Sequence, residues 1–158
     1  MWVCRAGSAS IYYLKFLQEE RIFLPWDGYK IDLSTIVDAQ RFRNVVENER
    51  GNNNRTSVSN WSSQLILFAK TIEMNDYVLI PSFKSRSYCL AQVIGNYEFN
   101  PDDEENLYHS HKIKVLLKDI PRSAFTKDVQ YSLGAYRTLF KVRDEAAVLS
   151  QIHSWFEQ

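Results

Sequence analysis

The chain has 158 residues, of which 45% are hydrophobic and 14% are aromatic. This length is enough for one domain with a substantial core, and the composition excludes a disordered chain. The 19 Lys and Arg residues balance 19 Asp and Glu residues, so that no overall field attracts a polyanion and nucleic-acid binding would require a local patch. We therefore predict a single domain over residues 1–158.

The cysteines and the N-terminus indicate the compartment. Cys4 and Cys89 each lie in an apolar run and have no paired spacing, which is typical of buried thiols in a reducing environment. The N-terminus lacks the basic and apolar segments of a secretory signal, and no apolar run approaches the ~18 residues of a membrane helix. We expect a cytoplasmic protein with no membrane partner.

The first elements are predicted as a strand, a helix and a second strand. Residues 1–5 and 22–24 are short apolar runs, which favour strands. Residues 7–20 have apolar side chains at intervals of three, which predict a helix. The predicted inward positions of this helix are Ile11, Leu14 and Leu17.

Two further helices are predicted after a break in the chain at residues 25–28. Ser34 is expected to cap the second helix, and Thr56 or Ser57 the third. The segment between them, residues 44–55, is rich in Asn and predicts a polar loop. The predicted inward faces are Ile36, Val37, Phe42, Val45 and Val46 in the second helix, and Val58, Trp61, Leu65, Phe68 and Ile72 in the third.

The second half of the chain is dominated by strands. Residues 77–82 and 87–97 predict a hairpin of buried strands, and residues 111–117 alternate like a strand with one wet face. Residues 138–142 predict the last strand, and Asp144 is expected to cap a closing amphipathic helix. This order predicts an α+β fold, a small mixed β-barrel with flanking helices.

The sequence offers little catalytic chemistry. It has no glycine-rich phosphate loop, and the apolar neighbours of Cys89 argue against a nucleophile paired with His109 or His111. The two histidines would share one face of a strand near the acidic residues 102–105, but a third fixed metal ligand is missing. We predict a nonenzymatic protein without metal or cofactor. A small hydrolase or deaminase that uses the histidine pair is the remaining enzymatic alternative.

Motifs along nearly the whole chain resemble a known family. The segments FLPW, NDYVLIPS, RSYCLAQVIGNYEFNP and YSLGAYRTLFKV resemble the N-terminal PUA-like module of Mrr-type restriction proteins and, more distantly, EVE and YTH domains. The resemblance implies a PUA-like fold that recognises nucleic acid with a modified, flipped base, with DNA favoured over RNA. It also implies a restriction or defence system in which another domain or subunit supplies the effector nuclease.

The same resemblance implies a base-binding set. Trp26 matches the aromatic residue that follows the second strand in these readers, and an indole at a loop supplies stacking worth about 1–3 kcal/mol per base. Asp27 is expected to accept a hydrogen bond from an exocyclic amine. Tyr97, with Phe99 as a second candidate, is expected to form the opposite wall. Asn60 is a polar candidate in the first turn of a helix.

Phosphate contacts are expected from cations near this pocket, because backbone binding depends on local rather than total charge. Lys84 and Arg86 lie at the hairpin tip, and Arg55 and Arg122 are further candidates. The alternative is a structural or protein-interaction domain without a base pocket, in which Trp26 closes the end of the barrel as a plug.

Overall fold

A computed structural model describes residues 1–51 and 54–158 of the chain. In these ranges, seven strands form a curled, mixed half-barrel sheet, and five α-helices accompany it. The predicted α+β class is therefore confirmed. The strands are β1 (Trp2–Cys4), β2 (Arg21–Phe23), β3 (Tyr77–Ser82), β4 (Ser87–Val93), β5 (Glu98–Phe99), β6 (His109–Pro121) and β7 (Leu139–Lys141).

The strand order places the two chain halves in one sheet. Neighbouring strands follow the order β2-β6-β4-β3-β1-β7, and β5 pairs with β6. The β1 and β3 strands are parallel, so that a crossover is required, and the helices between them supply it. The predicted hairpin is confirmed as the antiparallel β3–β4 pair.

Three of the five described α-helices begin at acidic or amide caps. The five helices are α1 (Tyr13–Glu19), α2 (Ala39–Arg50), α3 (Arg55–Ile66), α4 (Lys127–Leu133) and α5 (Glu145–Phe156). Asp144 caps α5 as predicted, whereas Asp38 caps α2 and Asn54 caps α3. The cap predicted at Ser34 is wrong because Ser34 lies in a separate 3-10 turn capped by Asp32. None of the described helices is long and apolar enough to span a bilayer.

The segment before α1 differs from the prediction. Residues 8–10 form a 3-10 turn in which Ala9 and Ser10 have positive φ, which ends any continuous helical stripe. Ile11 and Leu14 are consequently 71% and 68% exposed, and Phe16 is the buried residue of α1. The predicted loop at residues 44–55 is also shorter than expected, because α2 continues to Arg50; Asn52 and Asn53 lie outside the described residues.

The central strands β1, β3 and β4 are buried on both faces, which explains their nearly continuous apolar sequences, whereas β6 alternates between buried and exposed residues over 111–117, as predicted. Along β1, Trp2 and Cys4 pack into one core cluster with α2 and α3, whereas Val3 packs into a second cluster with α5. Both cysteines are buried free thiols, as predicted. Burial raises the pKa of Cys4 to about 12 and that of Cys89 to about 11, so that both remain protonated near neutral pH.

Candidate functional site

Trp26 lies where the chain leaves the sheet. The Leu24 N–H still donates to the His109 carbonyl beside β6, and Pro25 then ends the strand, because proline has no N–H to donate. The Trp26 ring is half-buried against the core, and its Nε1 donates to Thr138 Oγ1 at 3.0 Å. The indole is therefore fixed to the residue that precedes β7.

Three aromatic rings surround one cation beside Trp26. The Arg50 guanidinium carbon lies 4.2 Å from the ring centroid of Trp61, 5.4 Å from that of Trp26 and 5.6 Å from that of Tyr29. Its Nε donates to Tyr29 Oη at 2.7 Å. We call Trp26, Tyr29 and Trp61 the aromatic cage. Trp61, assigned to the core by its spacing, thus turns part of its ring to a cation.

Asp27 and Gly28 border the cage on a small cleft of about 360 Å³, together with Glu49 and Arg50. Gly28 has a φ of 80°, and a Cβ at this position would overlap the Glu49 carboxylate. Glu49 Oε1 accepts the Tyr29 N–H at 2.8 Å. Because Gly28 has no side chain, the end of α2 can pack against the backbone of this loop, and this packing keeps Arg50 near the cage.

Three arginines converge on a second cleft, which we call the arginine cleft. Arg43, Arg55 and Arg137 line an open volume of about 590 Å³ together with Asn60 and other polar residues of α3. No lining residue is acidic, and within the described ranges none of the three guanidinium groups forms an ion pair. Three like charges gathered without a counterion favour the binding of an anion.

The arginine cleft adjoins the aromatic cage through α3 and Thr138. Asn60 and Trp61 are consecutive in α3, and Thr138, which holds Trp26, follows Arg137. Gln64 Oε1 accepts the Leu139 N–H at 3.0 Å, so that the start of β7 is fixed against α3. The arginine cleft and the aromatic cage are therefore built on the same two segments, α3 and the residues before β7.

Arg55 is unfavourably placed for the helix alone. It is the first residue of α3, where the unpaired N–H groups and the helix dipole already give a partial positive charge. A cation at this end costs stability on the order of 0.3–1 kcal/mol. An anion bound in the arginine cleft would relieve this repulsion.

Lys84, Arg86 and Arg122 meet in a cleft of about 720 Å³, to which Arg5 also contributes. We call it the hairpin cleft. The structure thus brings together three of the four predicted phosphate contacts, whereas Arg55 belongs to the arginine cleft. The Arg5 N–H donates to the Thr138 carbonyl at 2.7 Å, which joins the hairpin cleft to the residue that holds Trp26.

A fourth cleft of about 850 Å³ extends this basic surface. It shares Arg122 with the hairpin cleft and adds Arg143, and its rim carries Tyr131 and Tyr136, which are 89% and 95% exposed. Among the described residues, eight cations line the arginine cleft, the hairpin cleft and this fourth cleft together, and one lining residue, Asp128, is acidic. The balanced composition therefore conceals a strongly asymmetric distribution of charge over the surface.

Tyr97 and Phe99 lie elsewhere. Both rings stack on His109, with centroid distances of 5.8 and 5.7 Å. The contacts that connect Tyr97 to Trp26 run through His109 and Tyr29. In the described structure, the rings that share Arg50 with Trp26 are Tyr29 and Trp61.

The histidine pair is buried in the sheet, where both side chains lie at the start of β6. His109 donates from Nε2 to the Tyr29 carbonyl, and its Nδ1 lies 2.6 Å from Tyr97 Oη. Both nitrogens of His111 face backbone carbonyls, those of Gly95 and Phe68. The described residues contain no group of three metal-ligating side chains.

Cys89 is also remote from the histidines. Its neighbours in β4 pair with Leu117 and Ile120 of β6, at least six residues beyond His111. At about 3.3 Å per strand residue, this register separates the thiol from the imidazoles by roughly 20 Å. In the described structure, Cys89 is therefore too far from His109 and His111 to form a nucleophile pair with either.

Of the predicted base-binding residues, Trp26 and Asp27 thus border the cage and Asn60 lines the adjoining arginine cleft. Arg43 and Arg137 of the arginine cleft were not predicted, because Arg43 lies in α2 and Arg137 in the turn before β7, far apart in sequence. The one sequence signal was a basic residue, Arg55, at a helix start, where acidic residues are preferred.

Comparison with protein families adds one finding. A family model described as "Domain of unknown function (DUF8426)" matches residues 2–141. The chain belongs to the DUF8426 family. The DUF8426 match includes the aromatic cage, the arginine cleft and the hairpin cleft, and it ends in β7. Comparisons with curated proteins and with solved structures found no match.

Proposed function

We propose that this DUF8426 protein is a nonenzymatic nucleic-acid-binding module with a PUA-like fold. It recognises a modified base, with DNA favoured over RNA, and gives specificity to a restriction or defence system whose effector nuclease is another domain or subunit. The observation that carries the proposal is the convergence of Arg43, Arg55 and Arg137, all without carboxylate partners in the described ranges, next to the aromatic cage.

The chemistry of the two features matches the two parts of a nucleotide. Guanidinium groups bind phosphate oxygens with charge-assisted, often bidentate hydrogen bonds, which suits the arginine cleft to the backbone. Indole rings stack on bases of any sequence, which suits Trp26 and Trp61 to the base. The order of strands and the motifs along them support the PUA-like fold, in which readers of this kind place an aromatic residue after the second strand.

The hairpin cleft extends the path of the strand. Lys84, Arg86 and Arg122 continue the positive surface beyond Thr138. The exposed rings of Tyr131 and Tyr136 lie in the adjoining cleft, together with Arg122 and Arg143. Grooves that combine cations with exposed aromatic rings are typical of proteins that bind single-stranded nucleic acid. We therefore expect several nucleotides on each side of the recognised base to lie on this surface.

The test is the binding of fluorescently labelled oligonucleotides at one fixed salt concentration. Matched DNA and RNA strands are unmodified or carry methyladenine, methylcytosine or hydroxymethylcytosine. We expect one modified strand to bind tightest, and Arg137→Ala to weaken its binding about tenfold, as for the loss of a charged hydrogen bond. The control is Lys114→Ala, because Lys114 is an exposed cation that lines none of the described clefts. Equal losses in both variants would contradict the assignment.

A second candidate function is a protein-interaction domain. The half-buried Trp26, bonded to Thr138, is compatible with a plug, and the exposed apolar side chains of Ile11, Leu14 and Phe83 favour contact with another protein. Failure of every oligonucleotide to bind would favour this candidate over the reader.

A further inference from the structure

The aromatic cage is occupied by a side chain of the protein itself, that of Arg50. Arg50 lies in the last turn of α2 and reaches the cage with a planar guanidinium group. A guanidinium stacks on aromatic faces as a flat group of the same thickness as a nucleobase. The 4.2 Å between the Arg50 guanidinium carbon and the Trp61 centroid therefore marks a position that a stacked base would take.

We infer that Arg50 is an intramolecular plug of the aromatic cage, and that a flipped base binds to Trp26 and Trp61 by displacing it. This inference rests on the proposed function, which it extends with the step that opens the site. The displaced guanidinium is released into solvent, because Arg50 is exposed at the end of α2.

The position of Arg50 on α2 supports this exchange. Arg43 and Arg50 are seven residues apart, so that two turns of helix place them on the same face. Arg43 lines the arginine cleft, whereas Arg50 fills the cage. The Arg50 residue is exposed, so that its long side chain can leave the rings without opening the core.

Substitutions of Arg50 and Arg43 are therefore expected to have opposite effects on the affinity for an oligonucleotide. A plug lowers apparent affinity in proportion to the fraction of molecules in which the cage is closed. A cage closed in about nine of ten molecules costs about tenfold, or about 1.4 kcal/mol. Arg50→Ala is therefore expected to tighten the binding of a base-containing oligonucleotide about tenfold, whereas Arg43→Ala is expected to weaken it.

A matched oligonucleotide with an abasic site at the recognised position separates stacking from charge. Without a base there is no exchange, so Arg50→Ala gains nothing on the abasic strand. If Arg50→Ala instead weakens both strands like Arg43→Ala, Arg50 is a phosphate contact and the plug is refuted. If the wild-type protein and both variants bind no strand, the proposed function fails as well, which is a different result.

A spectroscopic measurement on the wild-type protein avoids any effect of substitution on folding. The Arg50 Nε–H lies among three rings and donates to Tyr29 Oη, so its NMR signal is expected to be displaced by ring currents and slow to exchange. On saturation with the base-containing strand, the signal is expected to move to the ordinary arginine position. A signal unchanged at saturation would overturn the inference.

Discussion

Acid should destabilise this protein through one buried histidine, His109. Its side chain is 2% exposed, and Nε2 donates to the Tyr29 carbonyl at 2.8 Å while Nδ1 accepts from the Tyr97 hydroxyl at 2.6 Å. Tyr97 Oη in turn accepts the Leu33 N–H. The neutral imidazole thus satisfies every partner, and burial lowers the pKa of His109 from 6.5 to about 4.

The sign and size of the effect follow from these values. Between pH 6.5 and 4 the unfolded chain binds a proton at this residue and the folded chain does not, so the free energy of unfolding falls as the pH falls. The maximum slope is 1.36 kcal/mol for each pH step of one, and the whole window contributes about 3 kcal/mol. Below the folded pKa both states are protonated and no further loss arises from His109.

The assay is denaturant unfolding at a series of pH values for the wild-type protein and for His109→Gln, which does not titrate. Every other group is common to both proteins, so the difference between the two curves isolates His109. We expect this difference to change by about 3 kcal/mol across the window. Parallel curves would refute a neutral, buried His109.

Three further substitutions test the site. Trp26→Ala should weaken binding of the recognised strand by about 1–3 kcal/mol, the value of one stacking platform, whereas Trp26→Phe should retain most of the affinity. Equal losses in the two variants would argue that Trp26 closes the end of the barrel and does not stack on a base. Lys84→Ala with Arg86→Ala should flatten the salt dependence of binding by roughly 0.7 for each phosphate contact on a single strand; an unchanged slope would place the strand elsewhere. Gly28→Ala should destabilise the fold by about 1–3 kcal/mol, because the added Cβ overlaps with Glu49 of α2. The control in the same denaturation assay is Gly51→Ala, where φ is also positive but the added Cβ meets no described atom within 4 Å. Equal losses of stability in the two variants would remove the steric explanation.

The sequence predicted the elements whose signals are local. The β3–β4 hairpin follows from two apolar runs around a short polar turn, and the Asp144 cap from its position before an amphipathic stretch. The cap of α2 was misplaced because Ser34 and Asp38 are both good N-cap residues, and Ser34 lies inside a 3-10 turn that Asp32 caps. Periodicity alone does not resolve such a competition.

The candidate site was predictable only in part. Trp26 is marked by the break after a strand, and Asn60 by its place near a helix start. Arg43 and Arg137 approach each other through packing between elements far apart in sequence, for which one sequence carries no signal. Tyr97 and Phe99 show the alternation of strand aromatics, which is the same for a ligand wall and for rings that enclose a buried histidine.

The most direct test of the account is the salt dependence of oligonucleotide affinity with and without the arginine cleft. The protein with Arg43, Arg55 and Arg137 all changed to Ala should remain folded, because the three side chains are exposed. The slope of log affinity against log salt for a single strand should become flatter by about 2, at roughly 0.7 for each lost phosphate contact. A wild-type protein that binds with the same slope as this variant would contradict the central claim that the arginine cleft binds the nucleic-acid backbone.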